Sequence, residues 1–242
     1  MRIILTISYD GTNYVGWQRQ KNGVSVQEII ETALFKVTGE KTTLVASGRT
    51  DSGVHAKGQV AHFDTSSSVP SDKFYLALNC FLPDDIRILS SCSAPTGFHA
   101  RYTAKRKTYV YNFYVSPVIL PLKDRYATRI DDFSTEKAQK ILDEIVGEHD
   151  FKCFLASGSE IKTTVRTIYS AIVKKDGIDV KIEICGNGFL YNMVRIIAGT
   201  VLSASEDKLS ASDVKTALLS GDRQKVGKTA PAKGLILKSV EY

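Results

Sequence analysis

The chain has 242 residues, enough for one large domain or two small ones with a real core. At 43% hydrophobic and 24% charged residues it has the composition of a folded soluble protein. No run approaches the about 18 apolar residues of a membrane span. A net charge of +6 and a pI near 9.0 suit a polyanionic partner.

Cysteines at 80, 92, 153 and 185 form no C-x-x-C pair, and histidines at 55, 62, 99 and 149 lie at no metal-binding spacing. The expectation is reduced thiols, no metal and a cytoplasmic protein. The opening run Ile3-Ile4-Leu5 is too short for a signal peptide and soon meets Asp10-Gly11.

Residues 2–9 read as a buried strand ended by a turn at Asp10-Gly11. The following polar segment carries Tyr14, Trp17 and Arg19, which either hold nucleic acid or pin the loop to the core. Ser25 and Glu28 form a capping box, with Val24 and Ile29 as a staple. Val26, Ile29, Ile30, Ala33, Leu34 and Val37 then recur at helical spacing until Gly39. Strands over 42–47 and 58–64 flank the stretch Ala46 to Ala56. There Gly48 and Gly53 bracket Arg49, Thr50, Asp51 and Ser52.

If that run is extended, Arg49 and Asp51 project from the same side. The guanidinium favours the charged carboxylate. Such an Asp either satisfies the donors of a β-turn or serves as a nucleophile. The run is not a phosphate loop, because Val54-His55 stand where Lys and Ser/Thr are required. Gly221 to Gly227-Lys228-Thr229 has one residue too many, and Pro231 follows closely. Binding of a nucleotide triphosphate is therefore not expected.

A helix over 71–81 and a strand over 86–93 complete a β-α-β-β-α-β order, which the ferredoxin-like and RRM folds share. Next, Arg101, Lys105, Arg106 and Lys107 precede a strand on which Tyr109, Tyr111 and Phe113 share one face. This pattern either stacks bases between phosphate contacts or places core aromatics behind a charged edge. Pro117 and Pro121 mark a connection. A helix runs from Ser134 to Gly147, and strands over 162–173 and 178–185 form a hairpin. Gly186-Asn187-Gly188 opens an apolar helix from Phe189 to Val201 that contains Arg195. Such a buried-looking charge needs a partner, either a structural one or a group in a cleft. A boxed helix at Ser210 and Asp213 and a strand over 235–240 close the chain.

Several motifs together resemble the tRNA pseudouridine synthase A family. They are Ser8-Tyr9-Asp10-Gly11-Thr12, Gly16-Trp17-Gln18-Arg19-Gln20, Gly48-Arg49-Thr50-Asp51, Gly53-Val54-His55-Ala56 and Gly58-Gln59-Val60. Phe98-His99-Ala100-Arg101, Tyr109, Tyr111, Phe189 to Arg195, Thr229-Ala230-Pro231-Ala232 and Gly234-Leu235 follow in the family's order. Ser52 stands where the family usually has alanine.

The resemblance implies an α+β fold of two ferredoxin-like (RRM-like) halves. These would form a mixed, mainly antiparallel sheet with helices on one face and the active-site cleft between the halves. The expected domains are 1–104, carrying the catalytic Asp, and 105–242. It further implies a homodimer that isomerises uridines at positions 38, 39 and 40 of the tRNA anticodon stem-loop, without a cofactor. Asp51 would be the nucleophile, Arg49 and Arg195 its basic partners, and Tyr109 the ring against the uracil. The expected substrate contacts are Tyr109, Arg101, Lys105, Arg106, Arg19 and His55. The chemistry agrees, since an isomerisation makes no net redox change. The competing readings are a non-catalytic RNA-binding protein of RRM-like fold and a nucleotide-dependent enzyme using Gly227-Lys228-Thr229.

Overall fold

The computed structural model describes residues 1–158 and 161–242. The chain forms two compact units. One comprises Met1–Lys105 with Ile236–Tyr242, the other Arg106–Leu235. The class is α+β, with mixed and mainly antiparallel strand pairing.

In the first unit the elements run β1 (Arg2–Tyr9), α1 (Val26–Thr38), β2 (Val45–Ala46), β3 (His55–Asp64), α2 (Phe74–Asn79) and β4 (Ile86–Ser93). Strand β1 pairs antiparallel with both β3 and β4, and β2 pairs with β3. The last strand of the chain, Leu235–Glu241, lies parallel to β3, with Ile236 opposite His55. Strand β1 alternates as its sequence predicts, burying Ile3, Leu5, Ile7 and Tyr9. Ile3 lies across from Phe63, whose ring meets Phe74 of α2 edge-on at 5.3 Å. The opposite sheet face carries Ile4 and Val60, covered by Phe98, Ala100 and Val240.

In the second unit come β5 (Arg106–Val115), α3 (Pro121–Asp124), β6 (Thr128–Ile130), α4 (Thr135–Glu144) and β7 (Gly147–Asp150). They are followed by β8 (Val165–Asp176), β9 (Asp179–Gly186), α5 (Met193–Ser205) and α6 (Ala211–Ser220); the closing strand is β10. The order is β5-β9-β8-β7, with β6 parallel to β5. Strand β9 alternates, burying Val180, Ile182 and Ile184 in a core that also takes Ala138, Ile141 and Leu142 of α4 and the apolar α5.

The structure moves several predicted boundaries. Strand β3 begins at His55 rather than 58, and β2 keeps two residues of the predicted 42–47. Helix α2 is six residues long, not eleven. Ser25 caps α1 by accepting from Glu28 N at 3.3 Å. The reciprocal half of the box is absent among the described hydrogen bonds, and Val24 is half exposed. Helix α4 ends at Glu144, and Gly147 starts β7 instead of closing the helix. The β8–β9 turn falls at Gly177-Ile178, since Asp176 pairs with Asp179. Helix α5 starts at Met193, four residues later than Phe189, because Asn192 adopts a left-handed conformation (φ 60°). The box at Ser210 and Asp213 is complete and starts α6.

Candidate active site

The Asp51 loop is held from three sides by backbone and buried polar groups. Ser47 N donates to Val60 O at 2.8 Å, and its hydroxyl donates to Gln59 Oε1 at 2.6 Å. Gln59, wholly buried, returns a bond from Nε2 to Gly48 O at 3.0 Å. Two residues on, buried Thr50 shares a 2.7 Å bond with the Tyr9 hydroxyl, and Thr50 O accepts from Trp17 N at 3.0 Å. Burial pushes the Tyr9 phenol well above its usual range, so the hydroxyl stays protonated. Asp51 then opens a turn that Val54 N closes onto Asp51 O at 3.1 Å, with Gly53 at φ +75°.

Exposure alternates as an extended run requires. Arg49 is exposed, Thr50 buried and Asp51 half-buried. The inward residue anchors the run between an exposed and a half-buried neighbour.

The glycines of the 10–17 segment have a steric reason. A Cβ on Gly16 would fall 2.5 Å from Thr50 O and 3.0 Å from Asp51 C, and one on Gly11 would strike Val54 O. Both positions let this segment lie directly on the Asp51 loop. Tyr14 and Trp17, 7% and 3% exposed, act as pins rather than as nucleic-acid contacts. Tyr14 donates to Asp85 Oδ1 at 2.5 Å, and Ser52 Oγ donates to Tyr14 O at 3.2 Å.

His55 is 3% exposed, with Nδ1 at 3.0 Å from Gly11 N and 3.1 Å from Asp10 Oδ1. It sits beneath the same loop, not on open surface. Arg19 is surface-exposed and pairs with Glu31 at 3.0 Å. Arg101 and Lys105 are exposed, and Lys105 N donates to Glu241 O. The Arg101 guanidinium stands 5.9 Å from the Tyr102 ring.

The remaining candidates belong to the second unit. Arg106 is exposed at the head of β5, 4.9 Å from the Tyr169 ring. Tyr109 is 8% exposed, and its ring meets Phe189 edge-on at 5.1 Å. Tyr111 and Phe113, on the same face, are core residues rather than stacking platforms. The Tyr111 hydroxyl donates to Pro231 O at 2.7 Å and bonds Thr128 at 2.8 Å, and burial pushes its phenol up.

Arg195 stands in the first turn of α5. Its Nε donates to Ala230 O at 2.8 Å, and one Nη donates to Asn192 Oδ1 at 2.7 Å. The left-handed Asn192 thus ends the preceding loop and steers the arginine. Sequence reading missed this role, as it missed Gln59, Thr50 and Tyr9. The Thr229-Ala230-Pro231-Ala232 motif supplies the two carbonyls that hold Arg195 and Tyr111. No α-helix follows Thr229, only a short 3-10 turn over Ala232–Gly234, and Gly227 N is spent on Thr200 Oγ1 at 2.9 Å. Among the described residues no His, Cys, Asp and Glu cluster is arranged to hold a metal, and no helix is long and apolar enough to cross a membrane.

Comparison with known proteins places this architecture. The profile described as tRNA pseudouridine synthase matches residues 5–103 and 141–242. The chain is 49% identical over 244 residues to a tRNA pseudouridine synthase A of Ruminiclostridium cellulolyticum, covering 100% of this chain and 99% of that one. It is 47% identical over 241 residues to the namesake of Caldicellulosiruptor bescii, covering 99% of each. A solved Cbf5-Nop10-Gar1 complex contains a chain that aligns at TM-score 0.36 and 13% identity, over 97% of this chain and 47% of that one. With the matched segments spanning both units, the chain belongs to the tRNA pseudouridine synthase family, the isomerases that convert uridine to pseudouridine in tRNA.

Proposed function

We propose that this chain isomerises uridines of the tRNA anticodon stem-loop, at positions 38, 39 and 40, with Asp51 as the nucleophile. The observation that carries the reading is the Asp51 loop. A half-buried carboxylate sits at a turn braced by Tyr9, Trp17 and Gln59, one residue beyond an anchored threonine and two beyond an exposed arginine. Rigid support of this kind is what a reacting group needs, because small displacements from the productive geometry are expensive.

In the proposed reaction the bond from N1 to C1′ breaks, the uracil turns, and C5 bonds to C1′. A proton leaves C5 and N1 gains one, so the atoms balance with no redox partner or nucleotide triphosphate. Asp51 reacts at the sugar or at the ring and is released at the end. Arg49 and Arg195 provide positive charge for the carboxylate and for nucleotide phosphate. Tyr109 lies against the base. Arg101, Lys105, Arg106 and Arg19 contact the RNA backbone, and His55 positions the loop above it. A base in a stem must be flipped out at a cost of a few kcal/mol, which phosphate contacts and ring contacts offset. We further propose that the enzyme acts in the cytoplasm as a homodimer; the expected division into 1–104 and 105–242 shifts, because residues 236–242 return to the first unit.

The test is to incubate the protein with an unmodified tRNA transcript and map pseudouridine by position. The expected result is formation at the anticodon stem-loop by wild type. Asp51→Asn should lose turnover by about a thousandfold or more while tRNA affinity stays within a few-fold. Turnover retained in Asp51→Asn would end the catalytic assignment. Binding without turnover in the wild type would favour the non-catalytic RNA-binding reading.

A further inference from the structure

Residues 98–103 build a surface feature of which the reading above uses only Arg101. His99 and Tyr102 stack with ring centroids 4.3 Å apart and planes 29° from parallel. Tyr102 is 78% exposed, so most of its ring is open to solvent. The Arg101 guanidinium lies 5.9 Å from the same ring, and among the described residues no carboxylate pairs with it. An aromatic ring this exposed loses hydrophobic stabilisation unless something covers it.

The loop is not floppy. Arg101 N and Tyr102 N both donate to His99 Nδ1, at 3.1 and 3.2 Å, which fixes the imidazole as the Nε2–H tautomer. Thr103 N and Oγ1 donate to His99 O at 3.0 and 2.7 Å. Ala100 N donates to His62 Nδ1 at 3.1 Å, Ala100 O accepts from the Tyr242 hydroxyl at 2.7 Å, and Phe98 O accepts from Arg2 at 2.7 Å. Rings continue inward, His62 lying 4.9 Å from His99. The exposed tyrosine is therefore the outer end of a column rooted in the back face of the first unit's sheet.

We propose that Tyr102, backed by His99, is a stacking platform for one unpaired base of the RNA substrate, with Arg101 taking the adjacent phosphate. The proposal rests on the RNA-modifying reading and adds a second recognition point to it. A preordered ring gives stacking at little entropic cost, and a base has the flat π-face that such a ring accepts. A cation beside the ring with no carboxylate partner selects a polyanion over an apolar peptide. The stack reads no base edge, so it tolerates any base at that position.

The test measures tRNA affinity of wild type, Tyr102→Ala, Tyr102→Leu and Tyr102→Trp at several salt concentrations. Expected are roughly 5- to 100-fold weaker binding for Ala and Leu, near wild-type binding for Trp, and an unchanged salt slope for all three. Arg101→Gln should instead lower the slope by about one ion. Leu retains packing against His99 without a π-face, so a merely structural Tyr102 predicts binding close to wild type for that variant. A panel of transcripts, each with a single abasic nucleotide, identifies the base: its removal weakens binding to wild type and changes nothing for Tyr102→Ala. Binding by Tyr102→Ala within twofold of wild type, in an enzyme that forms pseudouridine normally, overturns the platform and leaves the function standing. Wild type that binds tRNA through Tyr102 but forms no pseudouridine overturns the function and leaves the platform.

Discussion

At the scale of single residues, the candidate nucleophile depends on neighbours that carry no chemistry of their own. Gly16 has φ +106°, and its Cβ position is occupied by the Thr50 and Asp51 backbone. Gly16→Ala therefore adds a left-handed strain of about 1–2 kcal/mol and pushes the Asp51 turn outward. A displacement near 1 Å costs about a hundredfold in rate. The expected outcome is a single-turnover rate about a hundredfold lower, with tRNA affinity nearly unchanged and a modest drop in melting temperature. A wild-type rate in that variant would show that the turn does not need this support. Arg19 illustrates the opposite case. Its exposed guanidinium meets a Glu31 carboxylate that is mostly buried and is already held by Gln27 Nε2 at 2.9 Å and Leu44 N at 3.0 Å, so the carboxylate keeps its place without the arginine.

At the scale of elements, legibility followed the strength of local signals. Helices α1 and α6 were readable because Ser25 and Ser210 stand before long apolar periods and bond the helix N-termini. Strand β1 was readable from strict alternation. Strand β7, Gly-Glu-His-Asp, was not, since four polar residues at a sheet edge carry no periodicity and depend on β8 for their register. The start of α5 was misplaced because Phe189 and Leu190 continue the apolar pattern. Only the left-handed backbone at Asn192 shows that the helix begins beyond them. Among the candidate residues, Arg49, Asp51 and Arg195 stood out by charge among glycines or apolar residues. Thr50 and Gln59 did not, because their partners lie far along the chain, and Asn192 did not, because its role rests on a backbone conformation that its neighbours do not announce.

The segment over residues 94–104 offers a test at this scale. His62 on β3 accepts from Ala100 N and so ties the segment to the sheet. Burial, then the positive charge of Arg2, holds its pKa below the ordinary 6.5, against a weaker opposing pull from Asp64. With the folded value depressed, the unfolded chain takes up the proton first. The stabilisation is thus complete above pH 6.5 and is lost as pH falls through the lowered folded value. Denaturant titrations at about pH 7.5 and about pH 5 should show a smaller acid loss in His62→Asn, whose amide oxygen keeps the acceptor without the titration. An equal loss in both proteins would remove His62 from the pH response.

At the scale of the whole molecule, the first unit is discontinuous in sequence, and its last seven residues close it. Ile236 and Leu237 pair with His55 and Ala56, immediately after the Asp51 turn. Leu237 is 1% exposed. Glu241 O accepts from Lys105 N, the Tyr242 hydroxyl donates to Ala100 O, and the Tyr242 ring lies 4.7 Å from Phe98. One short strand therefore supports both the turn that carries Asp51 and the segment that carries Tyr102. Deleting residues 236–242 removes one fully buried leucine, an aromatic pair and the hydrogen bonds that close the unit. Together these amount to about 3–6 kcal/mol, a large share of a domain's stability. Hydrogen exchange should show lost protection in β1 and β3, while the β5–β9 ladder of the second unit keeps its slow amides. The same truncation should abolish tRNA turnover. Full protection of β1 and β3 in the truncated chain would show that residues 1–105 fold without their final strand, and that the return of the chain at its end serves something other than the stability of this unit.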